Sequence, residues 1–507
     1  MFLYNIKIFV FQIKRNKNFC SPNFNGTKIF VPYFMKIHFI GICGVAMSAL
    51  AIAMQKQGHK ITGSDKGFYP PISDHLRKYK INFYPGWHID KMCTKGDPDL
   101  VVVGNVAGSE NPEWQYCQKN KLNYLSYPEL IQKYFLKDKS IVCAGTYGKT
   151  SITALLSWIF LDNDLDPSYM FGGLVVNNMD AADLGQGKYS ILEGDEYKIA
   201  RWDPRPKFTL YDPSHLILTA VEWDHADLYP REEDYLEVFE NLISRLPENG
   251  LLVVNTDNAN AQKISQNCQC RKITYGKNNA QYIYENISQN KNGLEFEIIR
   301  KEKKYKIKSN LIGAYMAENI TASFIMAREL QIPPEKIIEA IEKFRGIKRR
   351  LEKRYEDEVT IIDDIAHSPV KAKSALANLR KIYNGKIIAV FEPNTGNRYA
   401  NLIKSYDHAF SGADLVIIPR LTKIKKDLKP KEKLVRRNLE NQDEGRILDG
   451  EEISKIISRT HKNVKYISDD TKLIQKLIKA TKKDDLIVFL GSHGFLGMIE
   501  EVIEKIN

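Results

Sequence analysis

Apolar residues along the chain gather into short runs, and these fall into three blocks that each restart with a strand, a turn and a helix. The first block opens at "KIHFIGICG" and contains "PDLVVVGNVAG", a buried-strand run closed by a glycine turn. The second opens at "SIVCAGTYGKT" and continues through "YSILEGDEY", "HLILTAVEWDH" and "GLLVVNTDN". The third opens near "VTIIDDIAHSP" and holds "KIIAVFEPNTGNR", "ADLVIIPRL" and "DLIVFLGSHGF". This rhythm predicts an α/β fold built on parallel sheets. Such sheets bind ligands at the carboxyl ends of their strands, so the acids, His and Asn that close each run become candidates for chemistry. Boundaries are expected near residues 137 and 347, giving an extension over 1–34 and domains over 35–137, 138–347 and 348–507.

At 507 residues, 43% hydrophobic and 27% charged, the chain has room for about three domains. Its start, "MFLYNIKIFVFQIKRNKNF", places apolar residues before the basic cluster, the reverse of a secretory signal. Met35 is therefore expected to be the working start, with residues 1–34 untranslated or disordered. No stretch approaches the length of a membrane span. Seven cysteines form no CxxC pair, which suggests a reducing cytoplasm. The net charge of +12 would suit a nucleic-acid binder, yet the densest basic run, "KIKKDLKPKEKLVRR", is broken by acids and a proline. No zinc-finger spacing or aromatic RNA signature accompanies it, so a basic surface attracting small anions is the expected reading, with no nucleic-acid or membrane partner.

The chemistry is expected in the second block. In "AGTYGKTS", Gly145 and Gly148 let backbone N–H groups of Thr146 and Tyr147 face phosphate oxygens at a helix N-terminus. Lys149 would reach the outer phosphates, and the hydroxyls of Thr150 and Ser151 would stand near Mg²⁺. The generic phosphate-loop pattern wants glycine at Cys143; Gly145 makes a tighter loop instead. Downstream, Glu193, Asp195 and Glu196 end one strand, and Asp224, His225 and Asp227 end the next. Hard cations take oxygen ligands beside phosphates, and His suits a second site. The competing reading is a set of surface acids with a helix-capping Asp-His turn. In the first block, Gly41 and Gly44 follow a strand and Asp65 ends the next, a dinucleotide-type turn with Met47 where a third glycine would stand.

From Met35 onward the ordered motifs "GICGVAMSAL", "AGTYGKTS", "LEGDEY", "DHAD", "FRGIKRRLE" and "DDIAHSP" resemble the Mur ligase family, whose phosphate loop is itself of this tighter kind. The resemblance implies a Rossmann-like UDP-binding domain, a central phosphate-loop ATPase domain and a Rossmann-like C-terminal domain. It also implies ATP and Mg²⁺, a UDP-N-acetylmuramate substrate, and a carboxylate activated as acyl phosphate. "VVVGNVAGSENPEW", "LSYPELI", the tyrosine of "GDEY", "RPKFTLYDPSHLIL" and "GSHGFLGM" are similar to the branch that adds a murein tripeptide, L-alanyl-γ-D-glutamyl-meso-diaminopimelate. The alternative is the branch that adds L-alanine in de novo synthesis; a silent nucleotide-binding relative is a further rival. Departures are Tyr147 and Ser368 in place of His, Lys198 in place of Asp, and Tyr315-Met316 in place of His-Asn.

Carried onto this chain, the resemblance makes Lys149, Glu193 and His225 the catalytic set, with Thr150, Glu193 and His225 at metal. Asn319, Arg350 and Asp364 would hold the nucleotide. Gly41, Gly44, Met47, Ser48, Ser64, Asp65 and Asn105 would line the UDP site. Arg398, Arg205 and Lys207 are candidates for the anionic peptide. A monomer in the cytoplasm is expected.

Overall fold

The computed structural model describes residues 34–68, 70–225, 228–421, 446–492 and 494–506. Residues 1–33, Asp227, His493 and the basic run over 423–437 thus lie outside the described residues. From Lys36 on, the chain is one compact unit.

The first sheet has strands β1 (Lys36–Ile40), β2 (Lys60–Asp65), β3 (Asn82–Pro85), β4 (Leu100–Val103) and β5 (Tyr124–Ser126) in the order β3-β2-β1-β4-β5. All are parallel. Chain order reverses between β1 and β4, and that reversal opens a crevice at their carboxyl ends. Helix α1 (Val45–Lys56) begins there with Gly44 as its N-cap.

The second sheet comprises β6 (Lys139–Ala144), β7 (Ser168–Met170), β8 (Ala182–Asp183), β9 (Tyr189–Gly194), β10 (His215–Leu218), β11 (Leu251–Asn255) and β12 (Arg271–Gly276). An extension follows, β13 (Tyr282–Asn290), β14 (Gly293–Arg300) and β15 (Lys303–Ser309). Their order is β15-β14-β13-β12-β11-β10-β6-β9-β7-β8. Strands β6, β9 and β10 run parallel side by side, so three of the polar strand ends read from sequence meet at one edge. Each is buried along nearly its whole length, as strands inside a parallel sheet are. Helices α2 (Lys149–Asp162) and α3 (Met316–Glu329) pack against each other, and both are buried over most of their length.

The third sheet, β16 (Glu352–Glu356), β17 (Thr360–Asp364), β18 (Ile387–Glu392), β19 (Leu415–Pro419), β20 (Val464–Ile467) and β21 (Leu486–Gly491), has the order β16-β17-β21-β18-β19-β20. Only the edge strand β16 is antiparallel. Two apolar clusters, one on each face, form its core. The α/β class and parallel sheets expected from the apolar runs are what the chain adopts. No helix among the described residues is long and apolar enough to cross a membrane.

Candidate active site

After β6 the chain turns through Gly145 at φ +127° and Gly148 at φ +81°, both in the region that favours glycine. A Cβ on Gly145 would sit 2.1 Å from Thr219 Oγ1, and one on Gly148 would sit 2.5 Å from Asn319 Oδ1. Space as well as φ therefore demands both glycines. The loop is pinned from the neighbouring strand end: Thr146 N–H donates to Ala220 O at 2.7 Å, and Thr219 Oγ1 donates to Tyr147 O at 2.6 Å. Tyr147 itself projects outward and is exposed.

Lys149 opens α2 and folds back over the loop, its Nζ donating to Gly145 O at 2.6 Å and to both oxygens of Glu196 at 3.0 and 2.8 Å. Glu196 is 2% exposed, and its Oε1 also lies 3.5 Å from His225 Nε2 and 3.5 Å from the Tyr235 hydroxyl. The Glu196 carboxylate raises the pKa of His225, burial opposes the shift, and Asp224 adds to it. His225 has φ +54°, costly for a residue with a Cβ, and its N–H donates to Asp224 Oδ1 at 2.7 Å. Tyr197 packs its ring edge-on against the imidazole at 5.2 Å.

Next along α2, Thr150 Oγ1 donates to Glu193 Oε1 at 2.7 Å, while Glu193 Oε2 accepts from Gly172 N–H at 2.6 Å. Arg350, at the head of the third domain, reaches back so that Nη2 donates to Thr150 Oγ1 at 3.2 Å. The same linker holds the second domain through Lys348 N–H to Leu174 O at 2.7 Å and Val176 N–H to Gly346 O at 2.9 Å. Asn319 is buried beneath Gly148, and four residues earlier, at the N-cap of α3, Tyr315 is exposed. Asp364 ends β17 with both oxygens accepting backbone N–H groups, from Leu351 at 2.7 Å and Ala366 at 2.8 Å. Desolvation raises its pKa against those two bonds. Ser151 is buried in the first turn of α2.

Thr150 and Glu193 give a hydroxyl and a carboxylate oxygen side by side, a donor set that suits Mg²⁺, which takes one or two protein ligands and completes its shell with phosphate and water. Among the described residues no three His, Cys, Asp or Glu side chains gather as a closed metal cage.

In the first domain, Gly41 has φ +87°, and a Cβ there would meet Val106 Cγ1 at 2.4 Å. Asp65 caps the following turn, its Oδ2 accepting Cys43 N–H at 2.8 Å and Oδ1 accepting Lys66 N–H at 2.7 Å. Asn105 lies half-buried beyond β4, and Met47 is buried against Gly104. Ser48 and Ser64 differ from the expectation. Ser48 donates to Val45 O at 3.0 Å, and Ser64, fully buried, donates to Glu113 at 2.5 Å, so both hydroxyl protons are engaged inside the fold.

The three basic candidates for the peptide also separate. Lys207 is 4% exposed, with Nζ 2.6 Å from Asp195 and packed over the rings of Tyr127 and Tyr197. It is a buried counter-charge, because a charge taken out of water needs a partner. Asp195 is held below its ordinary pKa, desolvation being outweighed by Lys207. Arg398 is 7% exposed, and its Nε donates to Leu448 O at 3.1 Å. Arg205 alone stays in solvent, clasped by Asp203 at 2.6 Å. Sequence reasoning named Glu196 among strand-end acids but gave it no role; its place after "GD" at the end of a strand facing the loop is the available signal.

Known proteins resemble the chain along most of its length. Residues 36–138 match the signature "Mur ligase family, catalytic domain", 143–327 "Mur ligase middle domain" and 349–493 "Mur ligase, glutamate ligase domain". The chain is 32% identical over 365 residues to the UDP-N-acetylmuramate-L-alanyl-gamma-D-glutamyl-meso-2,6-diaminoheptandioate ligase of Haemophilus influenzae, covering 71% of this chain and 80% of that one. It is 31% identical over 391 residues to the UDP-N-acetylmuramate-L-alanine ligase of Clostridium acetobutylicum, covering 76% and 82%. In fold, it matches the crystal structure of the UDP-N-acetylmuramate-alanine ligase of Thermotoga maritima with a TM-score of 0.74 at 21% identity, over 93% of this chain and 99% of that one. A phosphate loop faced by strand-end acids, in a chain matched by all three signatures, makes this protein a member of the Mur ligase family, an ATP-dependent amide ligase of peptidoglycan synthesis.

Proposed function

We propose that the protein joins L-alanyl-γ-D-glutamyl-meso-diaminopimelate to the lactyl carboxylate of UDP-N-acetylmuramate, returning recovered murein peptide to the cell wall pathway in the cytoplasm. The division at residues 137 and 347 assigns UDP-muramate to the first domain, ATP to the second and the incoming peptide to the third. The carboxylate attacks the γ-phosphate of ATP, giving an acyl phosphate and ADP. The peptide amine then attacks the acyl carbon, loses a proton, and the adduct collapses to amide and phosphate. Such transfer is limited by charge neutralisation and alignment, so no protein nucleophile is required.

Lys149, whose Nζ pairs with Glu196, is assigned to the β- and γ-phosphates. Thr150 and Glu193 would hold Mg²⁺, with His225 at a second ion; when bound, the metal neutralises phosphate charge. Asp364, Arg350 and Asn319 are assigned to the nucleotide, and Tyr315, exposed at the N-cap of α3, would cover the base.

The observation that carries the tripeptide reading is Tyr197 of "GDEY", set edge-on against His225 where the alanine-adding branch usually has serine. The L-alanine reading is favoured by the longer aligned stretch with the clostridial alanine ligase. Purified protein given UDP-N-acetylmuramate and ATP separates them. Phosphate release is expected to follow the tripeptide; faster release with L-alanine would refute the proposal.

A further inference from the structure

At the far end of α3 from the phosphate loop, three arginines share one carboxylate. Glu329, the last residue of the helix, has a side chain only 8% exposed. It lies 2.5 Å from Arg271 Nη2, 3.0 Å from Arg300 Nη1 and 3.3 Å from Arg328 Nη1. The Tyr282 hydroxyl donates to Glu329 at 3.1 Å and accepts from Arg300 at 2.7 Å and from Arg328. The guanidinium of Arg300 stacks 4.8 Å from the Tyr282 ring centre, and that of Arg328 lies 5.8 Å from Tyr282 and 6.0 Å from Tyr305. Two hollows of about 520 and 380 Å³ adjoin here and share Arg300, Lys303 and Arg328; Lys301 and Glu302 line the larger.

One carboxylate does not neutralise three guanidiniums drawn together from β12, β14 and α3. Lys301 and Lys303 add two charges against Glu302 alone. Lysines on an edge strand ordinarily guard it against pairing, and β15 carries several for that reason. The arginines do not belong to that pattern, since they come from three elements and turn inward onto a buried acid. Ring contacts with Tyr282 and Tyr305 hold the guanidiniums of Arg300 and Arg328 before any ligand arrives, which lowers the entropy lost on binding, and the guanidinium fork matches phosphate oxygens two at a time.

We infer that Arg271, Arg300, Arg328, Lys301 and Lys303 form a binding site for a small oligophosphate anion, separate from the nucleotide loop. Strand β14 stands five strands from β6, about 24 Å at the usual strand spacing. The ligand is a compact anion with two or more phosphate charges, free or carried by a nucleotide. A single-stranded nucleic acid would need open aromatic faces for its bases, and here guanidiniums cover the tyrosine rings.

The test is calorimetric titration of inorganic tripolyphosphate and of ATP into the full chain carrying Lys149→Ala, at constant ionic strength, so that binding at the nucleotide loop is suppressed. One site for tripolyphosphate is expected, weakened at least ten-fold by Lys301→Glu with Lys303→Glu. Lys301 lies in the β14–β15 turn and Lys303 is the first residue of the edge strand β15, both exposed, so the double variant in the otherwise native chain should keep its melting temperature and ligase activity. Equal affinity for the two probes supports a site for phosphates alone, and tighter ATP supports a nucleotide-borne ligand. Absence of binding to the Lys149→Ala chain overturns the proposal, as does binding indifferent to the double variant. Displacement of tripolyphosphate by single-stranded oligonucleotides, with affinity rising with length, overturns it in favour of a nucleic-acid surface.

Discussion

Lys149 and Glu196 pose the central question at the residue scale, because the cation meant for a phosphate is paired with a buried carboxylate. Lys149→Ala should lower kcat by about 10²–10³-fold, the usual cost of removing one group that stabilises developing phosphoryl charge; single-turnover ADP formation measures it. Glu196→Gln keeps the hydrogen bond and removes the charge. Nucleotide affinity should rise, because an anion leaves the phosphate site, while kcat should fall roughly 10–100-fold as Lys149 and His225 lose a common anchor. Steady-state KM for ATP and kcat check this split; a residue that only supports the fold would leave KM unchanged or raise it. The sequence exposed Lys149 through its loop, whereas Glu196 was one acid among three. Only the 47-residue separation closed by folding selects it.

Among elements, the β6–loop–α2 unit is the most legible, since its signals are local: an apolar run, two glycines and a helix start. Gly145→Ala places a methyl against Thr219 Oγ1 and Ala220 O on a backbone at φ +127°. We expect about 1–3 kcal/mol of lost stability, read from denaturant unfolding, together with loss of ATP binding as the loop shifts. The extension β13–β15 escaped sequence reading although its alternation and the Asn292-Gly293 turn were there to be seen. Attention to buried runs passes over a strand with one wet face. The burial of Lys207 and Arg398 was not legible for a related reason: "RPKF" and "EPNTGNR" look like surface turns, and burial is decided by what packs above them.

Over the whole molecule, Asp180 ties the first domain to the second, accepting from His75 at 3.0 Å and Tyr79 at 2.6 Å and pairing with Lys56. Burial alone would raise its pKa, but these partners outweigh burial and hold the carboxyl below its ordinary value. A depressed folded pKa means the stabilisation is complete above the unfolded value near pH 4 and is lost as pH falls through the folded one. Melting temperature followed from pH 7 down to pH 2 should therefore drop below about pH 4, and Asp180→Asn should flatten that acid limb while costing about 1–3 kcal/mol at pH 7. By itself the sequence determined the parallel α/β class, the three blocks and the phosphate loop, because periodicity and glycine turns act over a few residues. Tertiary structure alone decided that Arg350 reaches Thr150 across 200 residues, that Glu196 bridges Lys149 and His225, and that three arginines converge on Glu329. Those are matters of charge, and charge is settled by which strand ends the fold brings together and how much water it leaves between them.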